Sequence, residues 1–273
     1  MNETQTYRPF IKMHGLGNHF VIFDARNQDI VLSAEQVRHL ADSKTGIGCN
    51  QLIVVRASDR CDAYMEIWNT DGTRSGACGN AARCVGDIIL KESNKSAVLI
   101  DTDSGSIMAT RSGDMISINM GPARTDWAAI PLASNMKTEA LDITVGPLSA
   151  PGAVSMGNPH MVFVCDDAEA VDLSSIGPEM EHHPLFPERA NVSIASLQGD
   201  HIRLRVWERG VGITQACGTA ACAALVAANR KGLIGRSAII RLDGGELIIE
   251  WLEDGSVLMT GPYSYVFTGE VLL

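Results

Sequence analysis

The sequence predicts an α/β protein of the α+β type, with two pseudo-symmetric domains that arose by internal duplication. The segment 77–82 reads ACGNAA, and the segment 216–221, which lies 139 residues further on, reads ACGTAA. Trp68 recurs as Trp207 at the same offset. A chain of 273 residues that is 45% hydrophobic is long enough to fold as two domains. We therefore expect each domain to contain a central helix wrapped by a mainly antiparallel or mixed β-sheet.

Local patterns predict the elements of the first copy, which we assign to residues 1–124. Apolar runs of strand length occur at 20–24, 51–55 and 63–68, and two further strands are expected near 97–102 and 105–120. An apolar stripe at helical spacing predicts a helix over 34–41, capped by Ser33. A polar loop over 69–76 leads to the first repeated cysteine, and a second helix is expected over 80–90.

The second copy, which we assign to residues 125–263, repeats this order after a joining segment over 126–147. Its strands are predicted at 161–164, 191–195, 202–207, 237–242, 246–251 and 257–260. A glycine-rich loop over 210–214 precedes Cys217, and a helix is expected over 219–228. That helix carries no charge for three turns, and a helix that is apolar on all sides is a buried helix.

Composition excludes several classes of partner. The formal net charge is −10, and no basic block interrupts the acidic chain, so nucleic acid and membrane surfaces are poor partners. Residues 1–7 lack the basic-then-apolar pattern of a signal peptide, and no apolar run approaches the roughly 20 residues that span a bilayer. We expect a soluble, cytoplasmic protein.

The seven cysteines are an odd number, and no pair has CxxC spacing, so we expect free thiols and no metal site. Free cysteine is among the residue types most often buried. We expect five of the seven to be buried core thiols, namely Cys49, Cys61, Cys84, Cys165 and Cys222.

Cys78 and Cys217 differ from the other five because each directly precedes a predicted helix. The start of a helix carries a partial positive charge and unpaired backbone N–H groups. This environment favours the thiolate, so we expect a lowered thiol pKa at both positions. The same N–H groups, from Gly79 and Gly218 onward, form a site for a carboxylate.

Two such helix starts facing one substrate could invert a stereocentre. One thiolate would remove the α-proton, and the opposite thiol would return a proton to the other face. The N–H groups of both helices would stabilise the charge that develops on the carboxylate. This chemistry requires neither a metal nor pyridoxal phosphate, so we expect no cofactor.

Glu208 and Arg209 lie just before the second cysteine loop, and together they suit the ammonium and carboxylate of an amino acid. A surface ion pair is the alternative. His160 follows Asn158-Pro159, and its imidazole could tune the pKa of a nearby thiol. A purely structural histidine is an equally good interpretation.

Four amides repeat across the duplication with a spacing of 33 residues, namely Asn18 with Gln51 and Asn158 with Asn191. Amides that recur in both copies indicate a lined site. Alone, each would more often belong to a turn or a cap.

Together, these motifs make the chain resemble the diaminopimelate epimerases, and the resemblance extends over essentially the whole length. The matching phrases are MHGLGN (13–18), GIG (46–48), DG (71–72), ACGN (77–80), MGNPH (156–160), FPERAN (186–191), ERG (208–210) and ACGT (216–219). The resemblance implies cofactor-independent interconversion of LL- and meso-diaminopimelate in lysine and peptidoglycan synthesis. It also implies a homodimer, a site at the cleft between two similar domains, and a final strand, 264–273, that returns to the first domain.

The resemblance also implies a role for each matching residue. Cys78 and Cys217 would be the acid and the base, and Glu208 and His160 would tune them. The reacting carboxylate would be held at the helix starts by Gly79, Asn80, Gly218 and Thr219. The distal amino acid end would be gripped by Asn69, Asn158, Asn191 and Arg209, and the pocket would be lined by Asn18 and Gln51.

Other functions stay open at this stage. A two-cysteine racemase or epimerase of proline, hydroxyproline or histidine would use the same chemistry, although proline needs fewer polar groups at its distal end. A thiol oxidoreductase that cycles a disulfide between Cys78 and Cys217 belongs to another class. A binding protein without catalytic activity would not need both cysteines.

Overall fold

The computed structural model describes residues 6–273, so Met1–Gln5, the start of the segment searched for a signal peptide, lie outside the described residues. The chain divides into two compact units. The first runs to Ile118 and takes in Gly261–Leu273, and the second comprises Asn119–Thr260. The domain limits drawn from the sequence, at residues 124 and 263, remain predictions.

Ten elements precede the first long irregular segment. They are β1 (Tyr7–Gly15), β2 (Asn18–Ala25), α1 (Ala34–Ala41), β3 (Gln51–Arg56), β4 (Ala63–Asn69), β5 (Arg74–Ser75), α2 (Gly79–Ser93), β6 (Ala97–Asp101), β7 (Ile107–Ser112) and β8 (Met115–Pro122). The capped helix predicted at 34–41 is confirmed as α1. The Gln36 N–H donates to Ser33 Oγ (3.2 Å), and the Ser33 N–H donates to Gln36 Oε1 (2.9 Å).

The remaining elements complete the second unit and return to the first. They are β9 (Thr144–Val145), β10 (Leu148–Ser149), β11 (Gly152–Ser155), β12 (Pro159–Cys165), α3 (Leu173–Glu181), β13 (Asn191–Gln198), β14 (His201–Glu208), β15 (Gly212–Thr214), α4 (Gly218–Arg230), β16 (Ser237–Leu242), β17 (Gly245–Trp251), β18 (Ser256–Gly261) and β19 (Ser264–Leu272). In residues 6–273, no helix is both long and apolar enough to cross a membrane.

The first unit is a mixed sheet in which β19, β1, β2, β3, β4, β6 and β7 lie side by side. The β2–β3 and β4–β6 pairs are parallel, and the other pairs are antiparallel. Helix α2 packs against β1, β4, β6 and β7, and it is buried from Asn80 to Leu90. The predicted central helix wrapped by a sheet is therefore confirmed for this unit.

The second unit repeats that architecture with the order β11, β12, β13, β14, β16, β17 and β18. The β12–β13 and β14–β16 pairs are the parallel ones, at the equivalent places. Helix α4 packs against β11, β12, β13, β14, β16 and β17. It is buried from Ala220 to Ala228, as its uncharged sequence predicts. The repeated strand order is the structural expression of the duplication, and it confirms the predicted fold class.

Three expectations about local structure were wrong. The strand predicted over 105–120 is two strands, β7 and β8, because Gly113 turns the chain with φ of 59°. The segment 126–147 is more than a connection, because Ile130, Leu141 and other apolar side chains from it lie in the core of the second unit. Cys61 and Cys165 are half-buried rather than buried.

Candidate active site

Cys217 is the residue that caps α4 in the second unit. Its backbone is extended (φ −119°, ψ 111°), and the helix begins at Gly218, so the first N–H groups of the helix lie next to the thiol. Among them, the Ala220 N–H favours the thiolate form of Cys217, although the Cys217 side chain makes no capping hydrogen bond to the helix. Cys217 is only 6% exposed. The sequence prediction that this cysteine stands at a helix start is therefore confirmed.

The Cys217 thiol contacts two polar side chains. It is hydrogen-bonded to the carboxyl group of Glu208, at the end of β14, and its Sγ lies 3.4 Å from Thr219 Oγ1. Thr214, on β15, donates its hydroxyl to Glu208 Oε1. Strand β15 pairs antiparallel with the end of β14, and this pairing brings Thr214 to Glu208. The carboxyl group therefore stands between the hydroxyl of Thr214 and the thiol.

The pKa of Cys217 is raised well above that of an ordinary thiol, contrary to our expectation. Burial is the main cause, and the neighbouring Glu208 carboxylate adds to it. The Thr219 hydroxyl and the Ala220 N–H favour the thiolate, as expected at a helix start, but they are outweighed. Burial also raises the pKa of Glu208, and its hydrogen bonds with Thr214 and Cys217 oppose that rise. The Cys217 thiol therefore stays protonated and donates a hydrogen bond to the Glu208 carboxylate.

A second chain of contacts reaches the thiol through Thr219. Asn158 Nδ2 donates to Thr219 Oγ1 (3.4 Å), and Asn158 Oδ1 lies 3.0 Å from His160 Nε2. Because this oxygen can only accept, the Nε2 of His160 carries the proton. His160 is fully buried, and burial together with the charge of Arg209 lowers its pKa to about 3. His160 is therefore neutral, and it orients Asn158 rather than touching the thiol.

Asn191 and Arg209 lie at the same end of the sheet as Glu208. The Asn191 side chain accepts a hydrogen bond from the Arg209 N–H (3.0 Å) and donates one to the Pro159 carbonyl (3.0 Å). The Arg209 guanidinium donates to the Glu188 carbonyl (2.8 Å). Asn191 thus ties two strand ends and the Arg209 backbone together.

The strand register explains why these side chains meet. β12 and β13 are parallel with His160 opposite Asn191, and β14 is antiparallel to β13 with Trp207 opposite Val192. The start of β12, the start of β13 and the end of β14 therefore lie at one edge. Asn158 directly precedes β12, Asn191 begins β13, and Glu208 ends β14.

The first unit carries an equivalent edge. Gln51 is opposite Phe20 of β2 in a parallel pair and opposite Asn69 of β4 in an antiparallel pair. Asn18 begins β2 directly after a two-residue turn at Leu16 and Gly17, both of which have positive φ (55° and 78°). The edge of the first unit thus presents three amides.

The amides of this edge contact each other. Gln51 Nε2 donates to Asn69 Oδ1 (3.1 Å), and Asn69 Nδ2 donates to Thr73 Oγ1 (3.1 Å). Gln51 Oε1 is buried and has no hydrogen-bond partner within residues 6–273. An acceptor left in that condition is costly unless a ligand donates to it.

Cys78 caps α2 as Cys217 caps α4. Its backbone is extended (φ −151°, ψ 109°), and it is more exposed than Cys217. Gly79 and Asn80 are the first two residues of the helix. Both units therefore present a cysteine at the start of their central buried helix.

Sequence reasoning missed two residues of this arrangement. Thr214 lies in the glycine-rich loop before Cys217, and a hydroxyl in that loop was an available signal. Glu181 hydrogen-bonds to the segment that carries Glu208, but it ends a helix that was not predicted. Among the described residues, no three His, Cys, Asp or Glu side chains are grouped so as to hold a metal ion.

Comparisons with known proteins agree with the resemblance. The family model described as diaminopimelate epimerase matches residues 10–125 and 152–266. The diaminopimelate epimerase of Phenylobacterium zucineum is 52% identical over 270 residues, which cover 97% of this chain and 98% of that protein. That of Rhodospirillum centenum is 51% identical over 268 residues, which cover 97% and 92%. A phenazine biosynthesis protein of the PhzF family from Bacillus anthracis has the same fold, with a TM-score of 0.69, 16% identity, and coverage of 98% and 100%.

Proposed function

Because this chain belongs to the diaminopimelate epimerase family, isomerases that interconvert LL- and meso-diaminopimelate, we propose that Cys78 and Cys217 are the two acid–base groups of this reaction. The reaction serves lysine biosynthesis, and we propose that it also supplies peptidoglycan synthesis in the cytoplasm. The observation that carries the assignment is the Cys217 thiol, which stands at a helix start and is hydrogen-bonded to the half-buried carboxyl group of Glu208. The repeated position of Cys78 supplies the second thiol.

In the proposed mechanism, one proton is transferred between the Cys217 thiol and the Glu208 carboxylate. When Cys217 acts as the base, its thiol proton passes to Glu208, and the thiolate removes the α-proton of the substrate. The electron pair left on Cα delocalises into the reacting carboxylate, and Cys78 delivers its thiol proton to the opposite face. Loss of the proton on Glu208 and reprotonation of Cys78 restore the starting state. In the reverse reaction the two cysteines exchange roles.

Backbone N–H groups at the start of α2 and α4 suit the reacting carboxylate. Its charge increases as the proton leaves, so donors placed there stabilise the transition state more than the bound substrate. We assign this contact to four residues, namely Gly79, Asn80, Gly218 and Thr219. No metal or cofactor enters the proposal.

The amide edges suit the amino acid group at the other end of the substrate. Arg209 offers a guanidinium for a carboxylate. We assign the distal grip to Asn69, Asn158, Asn191 and Arg209, and the pocket lining to Asn18 and Gln51. The buried acceptor of Gln51 supports this assignment, because an ammonium group could satisfy it.

We also propose that the protein works as a homodimer. Strand β19 exposes three large apolar side chains, Tyr265 (45%), Val266 (54%) and Phe267 (49%). Contiguous exposed apolar residues often mark a protein interface. Tyr265 donates its hydroxyl to the buried Asp87 (3.0 Å), which fixes the ring. Sedimentation of Tyr265→Glu beside the wild type tests the proposal, and an unchanged mass would contradict it.

Turnover in heavy water tests the proposed function. The reduced protein is incubated with LL-diaminopimelate, and both epimers and their α-deuterium content are followed. Formation of the meso form with deuterium at the inverted centre only is the expected result. A folded, reduced protein that yields neither meso product nor deuterium would overturn the assignment, and a panel of other amino acids would follow.

A further inference from the structure

Glu181, the last residue of α3, is a buried carboxylate that hydrogen-bonds on three sides within the second unit. It is 3% exposed. It accepts from Trp207 Nε1 (2.7 Å), from the Gly210 backbone N–H (3.0 Å) and from Arg189 Nη1 (3.1 Å). Burial would raise its pKa, but these donors and the charge of His182 hold the pKa below the ordinary value. The group is therefore an ionised acceptor.

Two of the three donors bracket the residues assigned to substrate and proton transfer. Trp207 directly precedes Glu208, and Gly210 directly follows Arg209. The chain turns between them, where the Val211 N–H donates to the Glu208 carbonyl (3.0 Å). Hydrogen bonds to an ionised acceptor are stronger than those between neutral groups. Glu181 therefore clamps both ends of the segment that presents Glu208 and Arg209.

We propose that Glu181 is a positioning residue, which holds Glu208 against the Cys217 thiol and holds Arg209 at the edge of the sheet. The roles of Glu208 and Arg209 rest on the proposed function. The clamp itself rests on contacts of the second unit. Glu181 does not touch the thiol, so its effect passes through the Trp207–Gly210 segment.

The first unit contains a matching carboxylate that lacks this role. Glu66, which is 7% exposed, accepts from Trp68 Nε1 (2.6 Å) and from Arg56 Nε (2.7 Å). Trp68 precedes Asn69, an amide that cannot exchange a proton at neutral pH. Each unit thus fixes the tryptophan before its edge residue with a buried glutamate. Only in the second unit is that edge residue an acid.

Glu181→Gln tests the proposal with two readouts. We expect kcat/KM for LL-diaminopimelate to fall about tenfold, the factor of one charge-assisted hydrogen bond, with kcat lowered through Glu208 and KM raised through Arg209. Alkylation of Cys217 by iodoacetamide, followed on its peptide by mass spectrometry, should have its pH midpoint at lower pH. The reason is that a displaced Glu208 no longer disfavours the thiolate.

Glu66→Gln is the matched control, because it removes the same charge from beneath Trp68. It should leave the pH midpoint of Cys217 alkylation at the wild-type value. A folded Glu181→Gln variant with wild-type kcat, KM and alkylation midpoint would overturn the proposal. An equal shift of the midpoint in Glu66→Gln would also overturn it, because the effect would then be general loosening.

Alkylation also separates this inference from the proposed function. If the wild type does not epimerise diaminopimelate but Glu181→Gln still shifts the Cys217 midpoint, the function fails and the positioning role stands. If Glu181→Gln does not fold, Arg189→Met removes one half-exposed donor of Glu181 and should give a smaller shift in the same direction. No shift in that variant would then overturn the proposal.

Discussion

The carboxyl group of Glu208 is hydrogen-bonded to the thiol of Cys217, and burial raises the pKa of both groups. One proton can therefore lie on either group, and it passes between the thiol and the carboxylate along this hydrogen bond. A free thiolate at Cys217 would face a neighbouring negative charge in a poorly solvated place. The pair can produce a reactive thiolate only by moving the proton onto Glu208, and substrate binding must favour that transfer.

Glu208→Gln should therefore lower the pKa of Cys217, because the substitution removes the negative charge that disfavours the thiolate. The pH midpoint of Cys217 alkylation should move to lower pH. Turnover should fall about a hundredfold, because the amide cannot accept the thiol proton. Thr214→Val, which keeps the charge of Glu208 and removes only its hydroxyl partner, should have a smaller effect. A midpoint that stays in place or rises would contradict the pairing.

Cys78→Ala should abolish inversion while the fold persists. Cys78 is only half-buried and alanine is close to cysteine in size, so we expect the fold to tolerate the substitution. We expect turnover to fall more than about a thousandfold, since one face of Cα loses its proton carrier. Cys217 should still exchange the α-proton with heavy water without inverting the centre.

The control for this variant is Cys61→Ala, which removes a half-buried thiol of the same unit without an assigned role. It should turn over as the wild type does, and circular dichroism should show the same secondary structure in both variants. Near-normal epimerisation by Cys78→Ala would refute the two-base mechanism.

Sequence patterns predicted the elements whose cause is local. The helix at 34–41 has its own capping box, and the uncharged sequence of α4 predicts that this helix is buried. Other elements depend on distant partners. β1 contains Arg8 and Pro9 and pairs with β19, whose residues follow some 250 positions later. α3 contains Gly177 and Pro178, both poor helix formers, and packing selects it.

The candidate site shows the same division. The repeated motifs identified both cysteines at helix starts, because the duplication is preserved in the amino-acid sequence. The direction of the Cys217 pKa could not be predicted, because it depends on burial and on a carboxyl group brought near by the β14–β15 pairing. The three-way contact of Glu181 was hidden for a similar reason. It joins a helix, a loop and a strand end.

Gly177→Ala should destabilise the protein, although alanine usually favours a helix over glycine. A Cβ at this position of α3 would overlap the Trp207 ring, 2.7 Å from Cε3. We expect the free energy of unfolding in urea to fall by about 1–3 kcal/mol. Gly235→Ala, where a Cβ would meet no atom within 4 Å, should change it by less than about 0.5 kcal/mol. Equal stability of the two variants would show that Trp207 can move away.

The buried His160 should make the folded protein less stable at acidic pH. Burial, with the charge of Arg209, lowers its pKa to about 3 from an ordinary value of 6.5, so between these values the unfolded chain binds a proton that the folded chain does not. The stability of the wild type should therefore fall as the pH drops below 6.5. This residue contributes a loss of about 2 kcal/mol between pH 7.5 and pH 5. His160→Gln keeps a donor for Asn158 Oδ1 but does not titrate, so the loss in that variant should be smaller by this amount. Urea unfolding of both proteins at the two pH values measures the difference, and equal losses would mean that the folded protein admits a charged His160.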